Sequence, residues 1–406
     1  MSAARKRILF LAEGATMAHF VRPLTLADSL DTERYEVHFC APARFSRYLA
    51  GKTFVGHELA TMPGEQFLAN LAKGRPIFPA PVLLDYIEQD RKLMRTLRPD
   101  LTIGDMRPSL PVSARLEKVV CAAMINAYWS PYAQRRSILP SVPITRVIPP
   151  RVLSPLYRLT EPLAYVAHVA PMNTVRKQLG LPPLPPDVRK MYTEGDYVLY
   201  PDIPEFVPTP GAPPTHHYVG ICPWTPPDSL PDWWDRMVAD PQPKVFVSLG
   251  SSGVLEAAPA LFEALSKLPV SVVLSTSGRN LETGSLPVYR AEILPFTETA
   301  AQASVVVSHG GSGGLYPAIA AGAPVLGIPS NADMHLSTAV MVEQGVGLGV
   351  RVEEASAERL QAALRRLLYE ARFRRAAQRW ARVFARYDSG AMFGGFLDQV
   401  FGARAE

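Results

Sequence analysis

The chain has 406 residues, of which 48% are hydrophobic and 19% charged, a globular balance with length for two or three domains. Its net charge of +5 suits an anionic ligand without demanding nucleic acid. Cys40, Cys121 and Cys222 are odd in number and far apart, which excludes a disulfide framework and a cysteine-based metal site, and no stretch reaches the ~20 apolar residues of a membrane span.

Arg5-Lys6-Arg7 precedes an apolar run that Glu13 cuts too short for a signal peptide. A soluble cytoplasmic protein is expected. Docking at a membrane surface stays open, with nothing in the sequence to indicate it. Ile8–Ala12 reads as a buried first strand, followed by a loop at 13–17 and a helix over 18–30. Strands are predicted at 35–40, 101–105 and 119–124, with a helix over 82–97 stopped by Arg98-Pro99. Residues 129–190 are rich in Pro, Arg and Tyr and read as short helices broken by prolines. Strands at 196–200 and 217–219 close this first series, and the proline-rich stretch from 208 to 243 is the expected linker. A second series opens with a strand at 244–249 and continues with a helix near 255–267 and strands at 270–274 and 303–308. Helices over about 333–344, 356–386 and 390–401 end it. The basic run Arg365–Arg386 reads as the solvated face of an amphipathic helix.

Unbroken apolar strands alternating with helices indicate parallel sheets covered on both faces. The expected fold is α/β, with two tandem Rossmann-like, doubly wound domains facing across a cleft. The boundaries are 1–215 for the first domain, 216–243 for the linker, 244–386 for the second domain and 387–406 for a C-terminal helix able to pack back on the first. Ligands of such sheets bind beyond the C-terminal strand ends.

The most informative stretch is His309-Gly310-Gly311-Ser312-Gly313-Gly314. It follows a strand and precedes a helix, so its glycines let the backbone approach a ligand while the helix N-terminus offers amides to a phosphate. A short strand through Ile328-Pro329 leads to Asp333, an acid for hydroxyls. Phosphate and hydroxyls together suit a nucleotide sugar. Leu249-Gly250-Ser251-Ser252-Gly253 is a second strand–glycine–helix unit. Ser251 and Ser252 reach a diphosphate or simply cap a βα turn. Arg279 touches phosphate or base, or is a surface arginine in a turn. His19, past the first strand, and Asp105, ending another strand of that sheet, share the ligand edge. A histidine backed by a carboxylate is an oriented general base; alone, each residue reads as a surface or cap residue. No Gly-x-Gly-x-x-Gly follows the first strand, no phosphate-loop lysine motif occurs, and Asp31-Thr32-Glu33 is the nearest approach to Asp-x-Asp. His216-His217 point opposite ways on a strand, which argues against a shared metal.

The run from Leu294-Pro295-Phe296 through His309–Gly313 to Gly322-Ala323-Pro324, Pro329 and Asp333 resembles the donor signature of the family 1, GT-B-fold glycosyltransferases. Leu249–Gly253 and Gly345-Val346-Gly347 are similar to it as well, and His19 with Asp105 falls where such enzymes keep their dyad. The resemblance implies an inverting, metal-independent transfer of a hexose or deoxyhexose from a UDP- or dTDP-sugar, with no cofactor. It makes His19 the base and Asp105 its orienter. His309 and the amides of Gly311, Ser312, Gly313 and Gly314 hold the departing diphosphate, the backbone near Phe296 the base, and Asp333 the sugar. Tyr128, Trp129, Tyr132 and Tyr157 offer an aromatic surface to a small apolar or aromatic acceptor, or pack the first domain. Gly314, Pro317 and Met334 replace a hydroxyl residue, a ribose-binding glutamate and a glutamine that many members carry. Met334 suggests a less polar sugar pocket, suited to a deoxysugar on dTDP. The competing readings are a non-catalytic nucleotide-binding relative or auxiliary protein, a nucleotide-sugar epimerase or hydrolase, and a transferase of lipid-linked substrates. Oligomeric state and acceptor identity are not encoded in any motif.

Overall fold

The computed structural model describes residues 5–225, 230–250, 253 and 255–402. The chain divides into two compact units. The first gathers the chain up to Ser137, Arg158–Trp224, and the chain from Tyr387 onward; the second holds Ile138–Tyr157 and Thr225–Arg386.

In chain order the first series is β1 (Lys6–Ala12), α1 (Ala18–Asp28), β2 (Tyr35–Ala41), β3 (Val55–Glu58), α2 (Gly64–Ala72), α3 (Ala80–Leu97), β4 (Leu101–Asp105), α4 (Leu110–Glu117) and β5 (Val120–Met124). It continues with α5 (Pro150–Gln178), α6 (Val188–Tyr192), β6 (Tyr197–Tyr200) and β7 (His216–Tyr218). The strands form one parallel sheet in the order β3-β2-β1-β4-β5-β6-β7. Ile8, Leu9, Phe10, Leu11 and Ala12 of β1 are all fully buried, which requires cover on both faces. The chain winds outward from β1 through β2 and β3, then from β4 in the other direction. The switch point therefore lies between β1 and β4, where Ala12 is in register with Asp105.

The second series is α7 (Trp234–Ala239), β8 (Lys244–Ser248), α8 (Ala258–Ser266), β9 (Ser271–Ser275), β10 (Val288–Ala291), α9 (Phe296–Gln302), β11 (Val305–Ser308), α10 (Ser312–Ala320), β12 (Val325–Gly327), α11 (Ala332–Glu343) and β13 (Gly347–Gly349). The helices α12 (Ala357–Tyr369), α13 (Ala371–Phe384) and α14 (Ser389–Gly402) follow. Its sheet is also parallel, in the order β10-β9-β8-β11-β12-β13, with the switch point between β8 and β11.

Several elements differ from expectation. Residues 150–178 form one helix of 29 residues rather than short pieces. Pro155, Pro162 and Pro171 remove the donors to the carbonyls of Arg151, Arg158 and Ala167, and all three of those residues are exposed, where a missing helical donor costs less than it does in a core. The expected linker contains β7, an edge strand of the first sheet. The helix over 356–386 breaks at Glu370, whose backbone is extended (φ −85°, ψ 99°) and whose carboxylate takes Arg366 at 2.9 Å and Arg372 at 2.8 Å. The short strands β3, β10 and β13 lie at sheet edges and lack the continuous apolar run of a central strand.

α14 lies in the core of the first unit. Phe393, Phe396, Leu397 and Val400 join Phe10, Phe20, Leu24 and Phe39 there. The three cysteines are free and buried. No helix among the described residues is long and apolar enough to cross a membrane.

Candidate active site

In the first unit, the strand order places His19, in the first turn of α1, beside Asp105 at the C-terminal end of β4. His19 Nδ1 lies 2.8 Å from Asp105 Oδ1. The carboxylate is fully buried and the imidazole 16% exposed, so the ring alone reaches a substrate. If Nδ1 donates to Asp105, the lone pair is on Nε2, the arrangement of a general base.

Sequence reasoning missed a third member. Arg22, one turn along α1, is buried and forks onto the same carboxylate, donating from Nε to Oδ2 at 2.8 Å and from Nη2 to Oδ1 at 2.7 Å. Its Nη2 is also 2.9 Å from His19 Nδ1. Nη1 donates to Asn126 Oδ1 at 2.5 Å, and Asn126 Nδ2 donates to Asp202 Oδ2 at 3.1 Å. Asp202 also accepts from the Ala127 amide at 2.6 Å. A buried polar chain thus runs from His19 across the ends of β4, β5 and β6. Each buried polar group named in this chain is hydrogen-bonded, which favours a single arrangement.

The loop carrying His19 is anchored from behind. Glu13 Oε1 accepts from the Gly14 amide at 2.9 Å and from Tyr86 Oη at 3.3 Å. Burial pushes the Glu13 carboxyl up, opposed by Arg107 and His19. Arg107 stands 3.5 Å from Glu13 Oε2, forks onto Asp90 and lies over the Tyr86 ring.

In the second unit, His309 leaves β11 and Gly311 caps α10. Gly310 has φ +91°, and a Cβ there would lie 2.5 Å from Thr338 Oγ1, so only glycine allows this turn. Gly314 and Leu315 both donate to the Gly311 carbonyl at 3.0 Å. That corrects one expectation: the Gly314 amide is used within the helix, and Gly311, Ser312 and Gly313 make the run ahead of it. Ser337 Oγ donates to the Gly310 carbonyl and so ties α11 to the turn. Burial pushes the His309 imidazole down to about 4, against a smaller upward pull from Asp333. At neutral pH this ring is therefore uncharged and offers a hydrogen bond rather than a cation.

The loop after β8 is shaped around that ring. Cβ atoms at Gly250 and Gly253 would lie 2.5 Å and 2.8 Å from His309 atoms. Ser251 and Ser252 lie outside the described residues. Arg279 is half-buried, and its Nη1 donates to the carbonyls of Gly250 and Gly253 and so holds this loop. Phe296 opens α9 and packs edge-on against Phe246, with centroids 4.9 Å apart. Asp333 is half-buried in the first turn of α11, which Asn331 caps through the Met334 amide at 3.1 Å. Met334 is buried, its sulfur accepting from Ser330 at 3.3 Å.

The acceptor residues separate. Tyr128 is 1% exposed, a core side chain, which removes it from the expected binding surface. Trp129 is half-buried with its ring edge-on to Tyr192 at 5.6 Å, and Tyr132 is half-buried beside His216 and Lys190. A small cleft of the first unit, lined by Ile77, Phe78, Leu83, His168, Met191 and Tyr192, was not legible in the sequence because its lining is scattered over the segment before α3, α3 itself, α5 and α6.

The chain is similar to known proteins. Residues 260–386 match the family described as erythromycin biosynthesis protein CIII-like, C-terminal domain. Over 399 residues, 98% of this chain and 92% of the relative, the chain is 42% identical to a PGL/p-HBAD biosynthesis glycosyltransferase of Mycobacterium tuberculosis. The chain belongs to the bacterial natural-product glycosyltransferases. A PGL/p-HBAD biosynthesis rhamnosyltransferase of Mycobacterium bovis is 41% identical to this glycosyltransferase over 387 residues, 95% of the chain and 86% of the relative. A relative named as an inactive PGL/p-HBAD biosynthesis glycosyltransferase, also from Mycobacterium bovis, is 45% identical over 251 residues, 62% of the chain and 68% of the relative. The spinosyn rhamnosyltransferase SpnG complexed with thymidine diphosphate superposes with a TM-score of 0.65 at 16% identity, covering 97% of this chain and all of that one. The fold is GT-B, two Rossmann-like domains.

Proposed function

We propose that this glycosyltransferase inverts the sugar's anomeric centre, needs no metal, and moves a deoxyhexose from a dTDP-sugar to a hydroxyl of a small apolar or aromatic acceptor. The observation that carries the reading is the His19–Asp105 pair at 2.8 Å, clamped by Arg22. His19 Nε2 takes the acceptor's hydroxyl proton, and the oxygen forms a bond to the anomeric carbon. The bond from that carbon to the diphosphate breaks on the opposite face, and its electron pair leaves with the phosphate. The amides of Gly311, Ser312 and Gly313, with the neutral His309, stabilise that charge in place of a cation. The backbone near Phe296 holds the base, Asp333 takes sugar hydroxyls, and Trp129 and Tyr132 flank the acceptor.

The relatives' rhamnosyltransferase name and the neighbour's thymidine diphosphate support the deoxysugar and the nucleotide. The intact dyad supports catalysis over the role of an inactive relative. The test is turnover of dTDP-rhamnose and UDP-glucose with a panel of phenols, read as nucleoside diphosphate release. Wild type is expected to prefer dTDP-rhamnose, to give a product of inverted configuration by NMR and to keep its rate in EDTA. His19→Ala is expected to lose about a thousandfold in kcat. Turnover that survives His19→Ala removes the base assignment; a product of retained configuration removes the mechanism.

A further inference from the structure

The apolar surface of α5 is not used by any step above. Val152, Leu156, Leu159, Leu163 and Val166 recur at alternating spacings of four and three, so they form one stripe along the helix. Each is between 46% and 79% exposed, where a globular helix would turn such a stripe inward. Val147, just before the helix, is 82% exposed.

The sequence leading into the stripe is basic, with Arg135 and Arg146 paired to Glu161 and Glu256. Residues 118–160 contain Lys118, Arg135, Arg136, Arg146, Arg151 and Arg158, and no Asp or Glu. Arg151 and Arg158 are exposed on α5 itself and have no carboxylate partner among the described residues. The next acid, Glu161, is half-buried and accepts from Tyr165 at 2.8 Å. An apolar stripe edged by unpaired arginines has the composition of a helix lying in an anionic bilayer surface, with leucines among the acyl chains and guanidiniums at the phosphates. Pro155 and Pro162 interrupt the hydrogen-bond ladder beneath it. They disfavour the straight helix that knobs-into-holes pairing with a second copy requires, and a fluid surface imposes no such demand.

We infer that α5 docks this glycosyltransferase on anionic lipid bilayers, lying in the interface without crossing it. The test is flotation of the full chain with phosphatidylcholine vesicles, with and without phosphatidylglycerol. Wild type is expected to float with the anionic vesicles only. The triple variant Leu156→Gln, Leu159→Gln, Leu163→Gln is expected to stay at the bottom while melting at the wild-type temperature. Arg151→Gln with Arg158→Gln is expected to weaken partitioning about thirty-fold at low salt. Because the three native cysteines are buried, a polarity-sensitive dye can be placed at Leu159→Cys alone, and its emission is expected to shift to the blue on anionic vesicles. Wild type that stays at the bottom, a triple variant that floats, or a dye that reports water throughout overturns the proposal. So does a wild-type dimer that the triple variant converts to a monomer, since a second copy then covers the stripe.

Discussion

Arg22 presents His19 Nδ1 with two incompatible partners. Asp105 Oδ1, at 2.8 Å, accepts and wants a proton on Nδ1. Arg22 Nη2, at 2.9 Å, donates and wants a lone pair there. Only the first choice leaves Nε2 able to act as a base, so the fork from Arg22 onto Asp105 matters: by holding the carboxylate, it keeps the acceptor in front of Nδ1. Arg22→Lys keeps the charge and loses the fork. It is expected to lower kcat about a hundredfold with KM little changed, and to change the tautomer signature of His19 in imidazole 15N spectra. A raised KM with unchanged kcat would assign Arg22 to substrate binding instead. His19 and Asp105 were legible because each stands at the exit of an apolar strand. Arg22 was not: an arginine at the fifth position of a helix reads as solvated, and only the adjacency of β1 and β4 brings a carboxylate beneath it. Tyr128 shows the reverse failure, since an aromatic in a loop reads equally as surface or core until its burial is known.

At the scale of elements, the glycine turns were legible because strand, glycine run and helix follow in immediate sequence. What was hidden is that two such turns share one ring. β8 and β11 are neighbours, so the loop after β8 folds over His309 and Arg279 pins it there. Gly250 has φ +61°, and Gly250→Ala adds a methyl group at the imidazole. That variant is expected to keep its fold and bind dTDP about tenfold more weakly, measured by calorimetry. Unchanged affinity would mean that the His309 ring takes no part in holding the diphosphate. The length of α5 was hidden for a different reason: prolines read as breaks unless the carbonyls they leave open face water, and that depends on tertiary placement. The segment before it is fastened by contacts with no local signature, Ser141 to His335 at 2.9 Å and to Glu353 at 2.6 Å, and Arg351 to the Leu139 carbonyl at 2.8 Å.

Across the whole molecule, buried imidazoles set an acid limit. Burial pushes His309 and His216 down to about 4 and His335 to about 3, with Asp333 opposing it at His309, Lys190 adding to it at His216 and Arg351 at His335. The unfolded chain protonates the same rings nearer the ordinary histidine value of 6.5, so between these values it binds more protons than the folded chain. Stability is therefore fully present above the ordinary histidine range and falls as pH falls through it. The melting temperature is expected to decline steadily from about pH 7 to about pH 4; a flat profile would show that these rings are already charged or solvated in the folded state. The two-sheet architecture was legible from its unbroken apolar strands. The path of the chain was less so, because Phe393, Phe396 and Leu397 of α14 complete a core begun by Phe10. During translation, the amino-terminal sheet emerges from the ribosome long before the helix that fills its hydrophobic interior. That core is therefore complete only once residues 389–402 have been made, whereas the other unit draws on nothing beyond Arg386.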